Sequence, residues 1–182
     1  MFRLAVDDEL NLVFLEESLA STLFELIDAN RAYLGKWLPW VRNTNSVADI
    51  QVFIKRSIEG FSKGRELVCA IEYQNSIAGI VSYNRINPEL KKVEIGYWLS
   101  ERMQGQGLMS RCCQRLIDKA FYQMGMDKVE IRVASENLPS RKLCERLGMT
   151  LEGIISNSEK LEQGIVDHAV YGLSSHRPRI KG

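Results

Sequence analysis

The sequence predicts a mixed α/β (α+β) fold, with a mixed, mostly antiparallel sheet of about seven strands flanked by four helices. Three strand patterns follow one another at residues 66–73, 77–86 and 93–99, separated by short turn-forming stretches. A glycine-rich turn at residues 102–107 then leads into a long helical pattern. After this helix, further strand patterns are interrupted by one short helical pattern. Such an order is typical of helices that cover the faces of one sheet.

The first third of the chain predicts one strand and two helices. Residues 10–15 form a short apolar run typical of a strand, and residues 16–30 carry leucine and isoleucine at helical spacing. Residues 47–61 repeat that spacing and predict the second helix. Between the helices, residues 33–40 contain three large aromatic residues together with glycine and proline, which break regular structure. We call this segment the aromatic loop.

The second half predicts two helices and three strands. Residues 107–124 are the best-defined helix, because apolar residues recur every four positions until a glycine ends the pattern. Residues 129–134 are a strand pattern, and residues 137–148 predict a short helix with an asparagine N-cap and a proline in its first turn. Two further strand patterns, residues 150–155 and 166–173, predict a closing hairpin.

Length and composition predict a single domain over residues 1–182. A chain of 182 residues is long enough for one α/β domain and short for two independently stable ones. Its 45% hydrophobic and 26% charged residues are ordinary for a globular protein. Residues 174–182 are polar and contain proline, so we expect a frayed tail.

Charge and cysteine usage limit the possible partners. The formal net charge of +1 gives no overall attraction to nucleic acid or anionic lipid, so we expect neither as a partner. The beginning of the chain lacks the apolar run of a signal peptide and no segment is long enough to span a membrane, which predicts a cytoplasmic protein. Its four cysteines lack metal-ligand spacing, so we expect reduced core residues and no metal.

The segment that predicts a ligand is the turn between the strand at residues 93–99 and the long helix. The first amides of a helix lack internal partners and its dipole is positive there, so a diphosphate can be held without a lysine. Gly105 and Gly107 allow close backbone approach. A P-loop would need lysine and serine or threonine where Leu108 and Met109 stand, and a dinucleotide-binding turn would need glycine or alanine at Ser110. A simple tight connection remains the plain alternative.

The pattern Arg102-x-x-Gly105-x-Gly107, with Asn137-x-x-Ser140 opening the next helix, resembles the acetyl-CoA site of the GNAT superfamily of N-acetyltransferases. More narrowly, residues 34–38, residues 94–99 and Asp167 four residues before Tyr171 resemble the RimL and RimJ type, which acetylates ribosomal-protein N-termini. The resemblance extends over nearly the whole chain.

The resemblance implies a GNAT fold with a splayed sheet and acetyl-CoA as the cofactor. The pantetheine arm would pair with the strand around residues 95–99, and the amides of residues 104–109 would hold the pyrophosphate. The implied cofactor-binding residues are Tyr97, Trp98, Leu99, Arg102, Gln104, Gly105, Gln106, Gly107, Leu108, Met109 and Asn137.

Acetyl transfer to an amine needs a neutral amine, a stabilised oxyanion and a proton for the leaving thiolate. Glu94 is our candidate for the base, acting directly or through water; the alternative is a solvent-facing strand carboxylate. The resemblance offers Ser140 as the proton donor, although it is also suited to helix capping. We discount His168 because the resemblance puts the acidic residue at Asp167 and an apolar residue next to it. Cys112 and Cys113 are interpreted as inert packing.

The aromatic residues Trp37, Trp40 and Phe53 are the candidate substrate-binding residues. Trp40 and Phe53 would grip a planar group between their rings, whereas a small aromatic core is the alternative, above all for Trp37. The RimL-like branch includes self-immunity acetyltransferases for aminoacyl-nucleotide antibiotics of the microcin C kind, so the predicted acceptor is such a molecule or a ribosomal-protein N-terminus. A non-catalytic acetyl-CoA sensor and an ATP-binding α/β protein remain open alternatives.

Overall fold

An open eight-stranded sheet organises residues 2–175, the part of the chain described by the computed structural model. The strands are β1 Arg3–Ala5, β2 Leu10–Phe14, β3 Leu67–Tyr73, β4 Ser76–Asn87, β5 Lys92–Leu99, β6 Lys128–Ala134, β7 Thr150–Leu161 and β8 Gly164–Ser174. The helices are α1 Ala20–Ala29, α2 Arg31–Gly35, α3 Val47–Ser62, α4 Leu108–Asp118 and α5 Leu138–Arg146. The strands lie in the order β1-β2-β3-β4-β5-β6-β8-β7. This confirms the predicted mixed, mostly antiparallel fold class.

The structure differs from the predicted elements in several places. Strand β7 continues to Leu161 beyond the predicted end at residue 155, and the helix predicted over residues 107–124 changes after Asp118 to a π-helical turn at Lys119–Gln123. Strand β1 was not predicted; it is only three residues long and pairs with β2. The aromatic loop contains α2 and a 3₁₀ turn at Pro39–Asn43, so its backbone is more regular than glycine and proline suggested. Ser174 belongs to β8, and residues 176–182 of the predicted tail lie outside the described residues. The single-domain assignment stays a prediction.

The sheet is split between β5 and β6. These two strands are parallel and pair only from Lys92 with Lys128 to Ile95 with Ile131, although both strands continue beyond that point. The six other strand pairs of residues 2–175 are antiparallel. Beyond Ile95, β5 stays paired with β4 up to Leu99 opposite Gly79. A cleft therefore opens in the middle of the sheet, with the free edge of β5 as one wall and β6 as the other.

Each face of the sheet carries its own apolar core. Helices α4 and α5 cover one face, where Val93 and Ile95 of β5 lie in the buried cluster with Leu116. Helices α1 and α3 cover the other face, over β2 to β4, and Trp98 packs against that second cluster. Because side chains alternate along a strand, the residues of β5 divide between the two cores. Next to the cleft, at β5, β6 and β8, helices α1 and α3 do not cover the second face.

The four cysteines are free and buried, as the sequence predicted. Burial raises the pKa of the Cys112 thiol to about 12, and it raises the pKa of Cys113 well above its usual value. A thiol that stays protonated is a poor nucleophile, so both side chains act as packing residues of α4. Among the helices of residues 2–175, none has the length and apolar character that a membrane span requires.

Candidate active site

The turn before α4 leaves its backbone open. Gly105 and Gly107 have φ angles of 73° and 70°, which disfavour residues with a side chain, and a Cβ added at either position would meet nothing within 4 Å. Gly107 is the N-cap of α4 and no side chain caps this end of the helix. The first amides of α4 consequently have no partner from a capping side chain, and they adjoin open space. An anion, including a diphosphate, fits this geometry.

The corner between α1 and α2 holds this turn in place. The amide of Glu101 donates to Asn30 Oδ1 at 3.0 Å, and Asn30 Nδ2 in turn donates to the carbonyl of Leu26 at 2.8 Å. The side-chain amide of Gln104 donates to the hydroxyl of Tyr33. The turn is thereby tied to the segment that leads into the aromatic loop.

The start of α5 forms the other side of the cleft, directly after β6. The amide of Ser140 donates to Asn137 Oδ1 at 3.3 Å, so Asn137 is the N-cap of this helix, with Pro139 in its first turn. The Nδ2 group of Asn137 is not used by the cap. Across the cleft, the hydroxyl of Tyr97 is buried beside the side chains of Ser140 and Cys144, and neither makes a hydrogen bond of good geometry with it. Burial raises the pKa of Tyr97 well above its usual value, and the neighbouring Ser140 side chain opposes that rise.

Glu94 lies on the second face, beside the paired part of β5 and β6. Arg132 Nε is 3.8 Å from Glu94 Oε2 and donates to Glu130 Oε1 at 2.8 Å. Glu94 is opposite Glu130 in register, one residue before the last pair of the two strands. The predicted base therefore belongs to an ion-pair network next to the point where the cleft begins.

The predicted aromatic residues come together in part. Trp40 and Phe53 line one cavity of about 340 Å³, and their side chains are 37% and 40% exposed. Trp98 of β5 also lines this cavity, with its ring centroid 6.2 Å from that of Trp40 at an interplanar angle of 53°. Arg56, one turn after Phe53 on α3, stands at the same cavity. We call this cavity the aromatic slot.

Trp37 lies apart from the slot. Lys36 Nζ lies 5.1 Å from the centroid of the Trp37 ring, and Trp37 does not line the cavity formed by Trp40 and Phe53. The structure therefore brings together two of the three predicted substrate-binding residues, and it adds Trp98 and Arg56. Sequence reasoning assigned Trp98 to the coenzyme through its backbone, and the alternation of β5 was the signal that its side chain faces the other way.

The hairpin of β7 and β8 contacts the aromatic loop. At its tip, Gln163 Nε2 donates to the carbonyl of Lys36 in the aromatic loop at 3.0 Å. A wider cavity of about 720 Å³ lies between the loop and the tip, lined by Arg31, Arg42 and Glu162 among others.

The hairpin also contributes a pair that sequence reasoning missed. His168 Nε2 lies 3.2 Å from Glu159 Oε2, with 18% and 32% of the two side chains exposed. A register shift between Ile155 and Glu159 lets β7 bulge, and Asp167 Oδ1 accepts from the amide of Asn157 inside this bulge at 3.0 Å. No local motif signals the pair, because it depends on how the bulge changes the register of two strands.

Within residues 2–175, no three His, Cys, Asp or Glu side chains come together as a possible metal site.

The family model of the acetyltransferase (GNAT) domain matches residues 9–150, more than half of the chain. The chain belongs to the GNAT acetyltransferase family. The resemblance to this family is thus confirmed, and so is the enzyme class, an acyltransferase.

Curated relatives of this GNAT chain include ribosomal enzymes. It is 30% identical over 166 residues to the ribosomal-protein-serine acetyltransferase of Escherichia coli (strain K12), covering 91% of this chain and 93% of that protein. It is also 30% identical over 154 residues to the putative ribosomal N-acetyltransferase YdaF of Bacillus subtilis (strain 168), covering 84% of each chain.

Two solved structures share the fold closely. One is RimL, the ribosomal L7/L12 alpha-N-protein acetyltransferase, in complex with coenzyme A: the TM-score is 0.92 at 29% identity, over 95% of this chain and 98% of that one. The other is the microcin C7 self-immunity acetyltransferase MccE in complex with acetyl-CoA and AMP: the TM-score is 0.89 at 30% identity, over 93% and 94%. These likenesses confirm the GNAT fold and the RimL-like branch, and they do not favour a sensor or an ATP-binding protein.

Proposed function

We propose that this chain is an acetyl-CoA-dependent N-acetyltransferase that acetylates a primary α-amine by direct attack. The single observation that carries the proposal is the uncapped N-terminus of α4, reached through two glycines at positive φ and opening onto a split between β5 and β6. Bound acetyl-CoA would supply the thioester whose acetyl group is transferred. The relatives that share the fold have been seen with coenzyme A and with acetyl-CoA, which supports this cofactor.

Different residues of the cleft would bind different parts of the coenzyme. The amides of residues 104–109 would hold the pyrophosphate, with the exposed Arg102 available to a phosphate. The free edge of β5 at Tyr97, Trp98 and Leu99 would pair with the pantetheine arm, and the unused Nδ2 group of Asn137 would contact the arm from the opposite wall. This assignment needs backbone groups above all, which suits a chain with a net charge of +1.

Ser140 is our candidate for the group that protonates the leaving sulfur. It lies in the first turn of α5, and its side chain neighbours the buried hydroxyl of Tyr97. Glu94 stays the carboxylate that the sequence predicts as the base, with Arg132 as its neighbour.

The acceptor that the slot favours is an aminoacyl nucleotide of the microcin C kind. Trp40 and Phe53 are both exposed at one cavity, as a stacked planar base would need, and Arg56 offers a positive charge at its side. The neighbour MccE was solved with AMP, which supports this choice. The second candidate is a ribosomal-protein N-terminus, favoured by the Escherichia coli relative. The proposal includes a cytoplasmic location, where ribosomal acceptors are found.

The test is a product assay with both acceptors. The protein is incubated with acetyl-CoA and either an aminoacyl sulfamoyl adenosine or a peptide with a free N-terminal serine, and thiol release and product mass are measured. We expect acetylation of the α-amine of the aminoacyl nucleotide. Acetylation of the peptide alone would contradict the immunity assignment. Absence of thiol release with every amine, despite coenzyme binding, would contradict the enzyme assignment.

A further inference from the structure

The pair of His168 and Glu159 is the imidazole–carboxylate contact on the face where an acceptor would bind. The two side chains are 3.2 Å apart and both are largely shielded from solvent. On β8 the neighbouring Ala169 and Tyr171 are buried in the core under α4 and α5. Because strand side chains alternate, His168 points to the opposite face, which it shares with Trp98 and the aromatic slot.

His168 lies beside the open part of the cleft. It pairs in register with Ala134, the last residue of β6, whereas the pairing of β6 with β5 ends at Ile131. Glu94 is opposite Glu130, four residues earlier on β6. At about 3.3 Å per residue, His168 is roughly 13 Å further along the strand than Glu94, at the level where α5 and Ser140 follow.

We propose that His168, oriented by Glu159, accepts the proton of the acceptor amine; this rests on the acetyl transfer proposed above. With Nε2–H donating to Glu159 Oε2, the lone pair of Nδ1 is left for the substrate. A carboxylate that fixes the tautomer of a histidine base is a recurrent arrangement. A free imidazole has a reference pKa near 6.5 and a free carboxyl near 4.3, so an imidazole is the better base for an α-amine near neutral pH.

The step balances within the groups named. The acceptor ammonium gives one proton to Nδ1 of His168, and the neutral amine nitrogen then forms a bond to the acetyl carbon as the carbon–sulfur bond breaks. The excess proton on nitrogen passes to Ser140 as the Ser140 hydroxyl proton goes to the thiolate, and the imidazolium releases its proton to water. Neither an oxidant nor a further reactant is required.

Charged groups around His168 come from several elements. Glu159 of β7 is in direct contact with the imidazole. Arg132 of β6 lies on the same face, two residues before Ala134, the register partner of His168. Asp167 precedes His168 on β8 and accepts from the amide of Asn157.

The experiment measures kcat/KM from pH 6 to 9.5 with the accepted amine, for the wild type, His168→Gln, Glu159→Gln and Glu94→Gln. We expect His168→Gln to lose about tenfold to a hundredfold at pH 7, because a positioned base contributes at least that much. The loss should shrink to about threefold or less at pH 9.5, where an α-amine with a pKa near 8 is neutral without help. Glu159→Gln should also lower kcat/KM at pH 7, because an amide can donate to Nε2 as well as accept from it and no longer fixes the tautomer of His168.

A profile of His168→Gln that is parallel to that of the wild type at every pH overturns the proposal. A pH-dependent loss that appears with Glu94→Gln and not with His168→Gln also overturns it and assigns the base to Glu94. A loss of kcat/KM at pH 7 with Glu159→Gln that the matched variant Lys160→Gln does not show supports it, because Lys160 is the exposed neighbour on the same strand.

Folding is checked with a second variant and with coenzyme binding. His168→Val suits a strand, and it should show the same loss at pH 7 while it binds coenzyme A with wild-type affinity by calorimetry. Normal activity of His168→Val overturns the proposal even when His168→Gln is unstable. If the wild type binds coenzyme but releases no thiol with any amine, both the proposed function and this proposal are overturned. If the wild type is active and the His168 variants keep its activity at every pH, only this proposal is overturned.

Discussion

The proposed coenzyme side and the proposed acceptor side of the cleft are made of different parts of the polypeptide. On the coenzyme side, the turn at Gly105 and Gly107, the first amides of α4 and the edge of β5 offer backbone groups. On the acceptor side, the aromatic slot and the pair of Glu159 and His168 are formed by side chains from the aromatic loop, α3, β5 and the hairpin. One side is nearly contiguous in sequence, and the other is assembled from segments that are more than 100 residues apart.

This difference explains how a family can share a cofactor and vary its acceptors. A backbone site tolerates substitution at most positions, since any residue supplies the same amide, and only the glycines are fixed by φ. A side-chain site changes with each substitution. RimL and MccE resemble this chain over more than nine-tenths of its length and both were solved with the coenzyme or its acetyl form, yet one is named for a ribosomal protein and the other for microcin C7.

The largest effect should come from the backbone side. Gly107→Ala should weaken coenzyme A binding about a hundredfold, because alanine at positive φ costs about 1–2 kcal/mol and its Cβ occupies the space in front of the amides. Isothermal titration calorimetry measures the loss. Gly125→Ala is the matched control, since Gly125 has a φ of 66° at the far end of the α4 helical segment and an equally open Cβ direction. Equal loss of coenzyme affinity in both variants would mean that general strain, and not the turn, is responsible.

The same difference decided what the sequence could predict. The turn, α4 and the N-cap of α5 are local, so Gly105, Gly107 and Asn137 were identifiable from spacing and residue type. The slot was found in part, because Trp40 and Phe53 are only 13 positions apart and both belong to segments with clear patterns. The site roles of those residues stay predictions.

The remainder depended on tertiary structure. The pair of Glu159 and His168 requires a bulge that moves the register of β7 against β8, and sequence patterns do not encode that register. Strand β1 is three residues long and has no pattern to detect. The tie between Asn30 and Glu101 joins positions 71 residues apart, so only the folded chain reveals it.

The acceptor side should respond next in size. Trp40→Ala should raise the KM for an aminoacyl nucleotide about tenfold and leave the KM for acetyl-CoA unchanged, because stacking on one ring is worth about 1–3 kcal/mol. Steady-state kinetics with each substrate varied in turn measures both constants. Ile58→Ala is the control, an exposed apolar residue on α3 that does not line the slot. A rise in the KM for acetyl-CoA instead would show that Trp40 contributes to coenzyme binding, so the two sides would not be separate.

A smaller effect tests the tie between the sides. Asn30→Ala removes the acceptor for the Glu101 amide and should weaken coenzyme binding about threefold to tenfold, because one hydrogen bond contributes about 0.5–1.5 kcal/mol net. Asn30→Asp retains an oxygen at this position and should keep most of the affinity. Calorimetry of both variants decides between a positional role and mere helix packing. If the aspartate variant binds as weakly as the alanine variant, the bond to Glu101 does not position the turn.

The smallest effect on the reaction should come from Glu130, a buried residue of β6 between the two sides. Burial raises its pKa, but the hydrogen bonds from Arg132 at 2.8 Å and Lys92 at 3.1 Å outweigh this, and the pKa ends below its usual value. A carboxyl with a lowered folded-state pKa stabilises the protein above its unfolded-state pKa, and this stabilisation is lost as the pH falls through the folded-state value. Glu130→Gln should therefore lower the free energy of unfolding by about 2 kcal/mol at pH 7, and the difference from the wild type should shrink below about pH 4. Urea unfolding between pH 3 and 7 measures this difference. A difference that stays constant with pH would show that Glu130 acts through packing and not through its charge.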